Sequence, residues 1–179
     1  NLRMCGLITS NQILSMNELL QGRTFSVIFD SNRKKKEIKL DDKRFRFTCP
    51  FIDISFIEFT PDELSKSVIF LELSESISKT NENCFITHHS SSSDFSVSQG
   101  IIKDIWGFDL NHSLSVDSEY SGAPLLNKEG IVIGVQKSCI NNEICNKATE
   151  IYYLITALNN FVKNEISSFA LTIGNSKKL

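Results

Sequence analysis

The chain has almost no net charge. Its 179 residues include 19 lysines and arginines against 21 aspartates and glutamates, a net of −2, so no overall field draws it to a polyanion. The one basic run, Arg33-Lys34-Lys35-Lys36, is followed by Asp41-Asp42 and reads as a solvated loop, which argues against a nucleic-acid partner. No apolar run approaches the roughly 20 residues of a bilayer span, and no charged-then-apolar segment opens the chain, so no membrane association and no secretion are expected. Cysteine is sparse and odd in number: Cys5, Cys49, Cys84, Cys139 and Cys145. That count fits reduced thiols in an intracellular protein better than a disulfide framework, although Cys139 and Cys145 bracket a short loop and could pair locally. No Cys/His grouping has zinc-site spacing, so neither a metal nor a cofactor is expected. Histidine is scarcer still, with only His88, His89 and His112.

What the chain does have is a succession of short apolar runs at regular spacing. Arg3 to Thr9 and Gln12 to Met16, joined by Ser10-Asn11, read as a hairpin. Thr24 to Asp30, Glu37 to Leu40, Lys43 to Thr48 and Ile52 to Phe59 follow as strands, with Phe45 and Phe47 alternating with Arg44 and Arg46 in the period of a half-buried strand. Beyond Pro61 come Ser67 to Leu73, Asn83 to Thr87, Phe95 to Trp106, Ser113 to Asp117, the pair Ala123 to Leu126 and Ile131 to Val135 around Asn127-Lys128-Glu129-Gly130, and Glu150 to Leu154. From Thr156, a candidate N-cap, Leu158, Phe161, Val162, Ile166 and Phe169 recur at helical spacing. Asp53 stands among Phe51, Ile52, Ile54 and Phe56, where an unpaired carboxylate would cost several kcal/mol. Ser121 precedes Gly122-Ala123-Pro124 in a tight turn that holds a hydroxyl at a surface.

The stretch from Asp117 to Ser138 carries a resemblance. Ser121-Gly122-Ala123-Pro124-Leu125-Leu126, a turn, then Gly130-Ile131-Val132-Ile133-Gly134-Val135 is similar to the nucleophile region of trypsin-like serine proteases, in their HtrA/Deg-like branch. Asp53-Ile54-Ser55-Phe56-Ile57 resembles the segment that supplies their triad aspartate. Val97-Ser98-Gln99-Gly100-Ile101-Ile102 is similar to a family strand with an internal glycine. The resemblance implies an all-β fold of two antiparallel six-stranded barrels and a C-terminal helix: residues 1–61 as the first barrel, 62–155 as the second, 156–179 as helix and tail. Asn1 falls almost inside the first strand, which implies that the chain belongs to a longer one.

The same resemblance exposes what is missing. The catalytic histidine of the family follows three positions after the threonine of an early apolar-Leu-Thr strand. With Ile13-Leu14-Ser15 as that strand, the place carries Glu18. His88, His89 and His112 lie too close to Ser121 in sequence to serve, and read as structural or exposed residues. A glutamate titrates near 4.3, too low for an efficient general base at neutral pH, and facing Asp53 it would set two carboxylates together. Lys137, in the segment that implies a groove wall of Gln136, Lys137 and Ser138, is the candidate cation between them. The oxyanion hole uses the backbone N–H groups of the serine and of the residue two before it, usually glycine; here that residue is Glu119, followed by Tyr120. A protease homologue without the chemistry is implied, keeping a groove that takes a protein or extended peptide by β-addition. The alternative is an active endopeptidase with an atypical or externally supplied base. The ending Ser176-Lys177-Lys178-Leu179 resembles a peroxisomal Ser-Lys-Leu signal, but its last three residues are Lys-Lys-Leu.

Overall fold

The computed structural model describes residues 5–11, 13–14, 24–28, 35–40, 44–64, 68–89, 95–116, 120–137 and 146–161. Among these the first unit is built from β1 (Gly6–Thr9), β2 (Thr24–Ile28), β3 (Lys35–Lys39), β4 (Arg46–Cys49) and β5 (Ile54–Glu58). They form a three-stranded antiparallel sheet in the order β1-β5-β4 and a separate β2-β3 ribbon. Leu40 and Ile57, both buried, join ribbon to sheet with Phe25 and Leu14 packed against them. The second unit is a closed barrel of β6 (Asn83–His89), β7 (Phe95–Trp106), β8 (Asp109–His112), β9 (Pro124–Leu126), β10 (Val132–Gln136) and β11 (Lys147–Glu150), ordered β10-β11-β8-β7-β6-β9. Closure leaves no open edge around the ring. Cys84, Ile86, Ile102, Leu110, Leu114, Leu125, Ile133 and Ala148 fill its interior.

β10 serves both sides. Its pairing with β9 slips between Val132 and Gly134, a bulge that inserts one residue and resets the alternation of faces. Ile133 therefore enters the barrel, while Val132 and Val135 both reach a second core made with Ile52, Ile54, Ile151 and Leu154. That core contains residues of both units and of helix α1, residues 151–161. Gly100 serves closure in another way: a Cβ there would stand 2.7 Å from Ser113 Oγ and 2.9 Å from Leu114 N, so only glycine lets the 113–116 segment lie against β7.

Several expectations change here. Of the expected early hairpin, Arg3, Met4, Gln12, Ser15 and Met16 lie outside the described residues, and the described part of its second arm, Ile13 and Leu14, is not a strand. β1 pairs with β5, Leu7 opposite Ile57, and Ile13 and Leu14 belong to a turn in which both N–H groups donate to Ser10 O at 3.1 and 3.3 Å. Two of the basic residues expected in a loop, Lys35 and Lys36, open β3. Residues 68–72 are not a strand, and Leu73 makes a single parallel bridge to Val132. The strand expected at 113–117 is β8, four residues earlier, because the barrel needs Leu110 inside; residues 113–116 are extended without being a strand. The strand expected at Glu150 to Leu154 ends at Glu150, and the helix begins at 151 rather than 156. Ile151, Leu154, Ile155 and Leu158 share a helical face that packs on the two-unit core, which outweighs the strand preference of Ile151-Tyr152-Tyr153. Thr156 is no N-cap; its hydroxyl donates to Tyr152 O, one turn back. Among the described residues no helix is long and apolar enough to cross a membrane.

Candidate active site at the junction of the two units

The turn Tyr120-Ser121-Gly122 leads into β9 and is tied to the barrel by its backbone. Gly122 N–H donates to Gln136 O at 2.8 Å, Gln136 N–H to Ala123 O at 2.9 Å, and Ala123 N–H to Tyr120 O at 3.0 Å. Gly122 has φ +81°, a conformation that costs a side chain about 1 kcal/mol or more. Space excludes one as well: a Cβ on Gly122 would collide with Thr9 Oγ1 and come within 3.3 Å of Ser10 N. The serine turn is thus seated against the end of β1 in the first unit.

Asp53 arrives at the same junction from the other side. Pro50–Ile52 forms one 3-10 turn, and Asp53 ends it at φ 52°, ψ 47° with its N–H donating to Pro50 O. Its own carbonyl accepts from Asn11 N–H at 3.2 Å, so the loop bearing Asp53 and the 10–14 turn after Thr9 hold each other. Thr48 Oγ1 donates to Asn11 Oδ1, and Ser55 Oγ to Leu14 O at 2.7 Å. The barrel fixes this loop too, because buried Thr149 donates its hydroxyl to Ile52 O at 2.5 Å and Phe51 stacks at a tilt on Phe108, ring centres 5.1 Å apart. Ser121 and Asp53 are therefore carried by two turns that meet at Thr9 to Asn11.

The other expected site residues fall less neatly. Glu18, Glu119 and Ser138 lie outside the described residues, as do Cys139 and Cys145. Gln136 does not line a groove. It is fully buried, its side chain turned into the barrel with Oε1 2.9 Å from His112 Nε2. Lys137 pairs with Asp109 at 2.6 Å and lies over the Phe108 ring at 5.0 Å. Asp109 is thus a carboxylate partner that the sequence reading missed, since Asp109 sits two residues past the exposed hairpin tip at Gly107. His112 is a core residue, 1% exposed, and burial pushes its imidazole below the ordinary 6.5. His88 and His89 end β6. Cys5, Cys49 and Cys84 are free thiols, and burial raises Cys84 to about 11. Among the described residues no cluster of His, Cys, Asp and Glu could hold a metal.

A sheet-bearing first unit, a closed six-stranded barrel, a shared core and a terminal helix define a chymotrypsin-like fold, and comparison with solved structures agrees. The chain is similar to Deg5 (TM-score 0.61, 14% identity, over 86% of this chain and 77% of that one). It is similar to a serine endoprotease from Yersinia pestis (0.65, 12%, over 88% and 54%) and to kallikrein-related peptidase 10 (0.62, 12%, over 88% and 84%). It spans about half the length of the Yersinia pestis enzyme. No family model and no curated protein sequence matches it.

Proposed function

We propose that this chain is a trypsin-like protease homologue that has kept the scaffold without the hydrolytic chemistry and binds an extended protein segment in the groove between its units. In this reading residues up to about Pro61 correspond to the first barrel, of which β1 to β5 are the described part. The observation that carries the proposal is the placement of histidine. The first 87 residues contain none, His112 is buried on Gln136, and His88 and His89 belong to β6 of the barrel.

Acyl transfer by the trypsin-like triad uses a neutral imidazole that takes the serine proton and returns it to the leaving group. The end of β1 supplies a second register for that base. The apolar-Ile-Thr strand that abuts the serine turn is β1 itself, Leu7-Ile8-Thr9, and three positions beyond Thr9 the sequence has Gln12. A carboxamide accepts no proton at neutral pH, so in that register, as in the one that sets Glu18 at the place of the base, no histidine is available to the serine. Removing the histidine from a complete triad leaves only about 10³- to 10⁴-fold catalysis over water.

The test is reaction with a fluorophosphonate probe, comparing the unaltered chain with Ser121→Ala, Gln12→His and Glu18→His. The expected result is no labelling of the unaltered chain. Labelling that vanishes in Ser121→Ala overturns the proposal in favour of an active endopeptidase with another base. A gain of labelling in Gln12→His alone fixes the register of the missing histidine.

A further inference from the structure

On the far side of β1 from the serine turn lies a cleft of about 760 Å³, within the range of ligand sites. Its floor is apolar and comes from both units and the helix: Ile8, Phe56, Ile131, Ile155 and Leu158. Along one side runs the segment Glu72 to Ser76 that connects the units.

That segment has an unusual backbone. Val132 N–H donates to Glu72 O at 2.8 Å and Ser74 N–H to Val132 O at 2.9 Å, so one edge of residues 72–74 is joined to β10 in a parallel bridge. The N–H and C=O of Leu73 point to the opposite edge and have no hydrogen-bond partner among the described residues. An extended segment with one open edge accepts a further strand. The open edge continues into the most exposed apolar run of the described chain: Ile69 is 90% exposed, Phe70 50% and Leu71 52%.

Charge selects the occupant. Glu72 and Glu75 are exposed on the wall, and among the described residues no lysine or arginine lines the cleft. We infer that this cleft is a second binding site, distinct from the groove at Ser121, which takes an extended basic segment of a partner protein by adding it as a strand beside Leu73. An apolar side chain of the partner enters between Ile155 and Leu158, and its flanking lysines or arginines meet Glu72 and Glu75. The inference does not depend on whether Ser121 is active.

The test uses fluorescence anisotropy of a fluorescein-labelled hexapeptide amide, Lys-Val-Lys-Leu-Lys-Val, against the same peptide with glutamate for each lysine. The lysine peptide is expected to bind at least about tenfold more tightly than the glutamate peptide, and the double variant Glu72→Lys/Glu75→Lys to reverse that order while its circular dichroism stays that of the parent. Backbone N-methylation at alternate residues of the lysine peptide is expected to weaken binding about tenfold, because it removes the strand-pairing donors. Equal binding of the two peptides, an order unchanged by the charge reversal, indifference to N-methylation, or no binding of either peptide overturns the inference. Binding lost in Phe51→Asp, in the exposed loop that carries Asp53, but kept in the double charge reversal also overturns it and assigns the peptide to the groove at Ser121.

Discussion

The ion pair of Arg44 and Glu63 offers a quantitative prediction. Arg44 and Glu63 side chains are 6% and 13% exposed, and the guanidinium meets the carboxylate twice, at 2.7 and 2.5 Å. Arg44 also donates to Lys39 O at 3.0 Å and Glu58 O at 2.6 Å, so one side chain gathers the ends of β3 and β5 onto the 3-10 turn Pro61–Glu63. The Arg44 hydrogen bonds hold the Glu63 carboxyl at about 2, against an ordinary 4.5. At about 1.4 kcal/mol per pH unit that drop sets a ceiling of about 3 kcal/mol, and the partial access of water lowers it to about 2. Glu63→Gln keeps the shape, leaves a buried guanidinium without its counter-charge, and is expected to cost about 2 to 3 kcal/mol near pH 7.

The pH dependence has a definite sign. A carboxyl held low in the folded state stabilises it fully above the unfolded value and loses that contribution as pH falls from 4.5 towards about 2. Urea unfolding followed by far-ultraviolet circular dichroism, at several pH values between about 7 and 2.5, should show the parent approaching Glu63→Gln as the acid limit nears. A variant within about 0.5 kcal/mol of the parent at neutral pH, or a gap that does not narrow in acid, would refute the reasoning.

Two further outcomes follow from the junction and the barrel. Gly122→Ala is expected to lower stability by at least about 2 kcal/mol, from the positive φ and the collision with Thr9, measured by the same unfolding; an effect under about 0.5 kcal/mol would mean the turn is not seated on β1. His112 is held neutral by burial, with its folded value below the unfolded 6.5, so the protein should lose stability as pH falls through about 6.5, and His112→Gln should flatten that part of the profile. The histidine's carbon-bound proton resonances, followed by NMR, should titrate below the unfolded value; a titration at or above it contradicts the burial.

The barrel was legible because its strands alternate or run apolar between turn residues, and because Asn127 to Gly130 is an unmistakable turn. β8 escaped because Asp109-Leu110-Asn111-His112 has one apolar side chain, with burial of His112 decided by Gln136 across the barrel. Propensity misplaced the helix start, since Ile151 to Tyr153 favour a strand until packing on Val132 and Val135 selects the helical face. The serine and aspartate turns were readable from local pattern. Their meeting at Thr9 to Asn11 was not, for it depends on β1 pairing with β5, far along the chain.

The bulge in β10 has a consequence for how the molecule comes apart. A single strand whose neighbouring residues feed two different cores couples those cores as a shared wall couples two rooms. Neither the barrel core around Ile133 nor the shared core around Val132 and Val135 can open without displacing the strand that closes the other. The chain should therefore unfold as one cooperative body, although its topology is that of two.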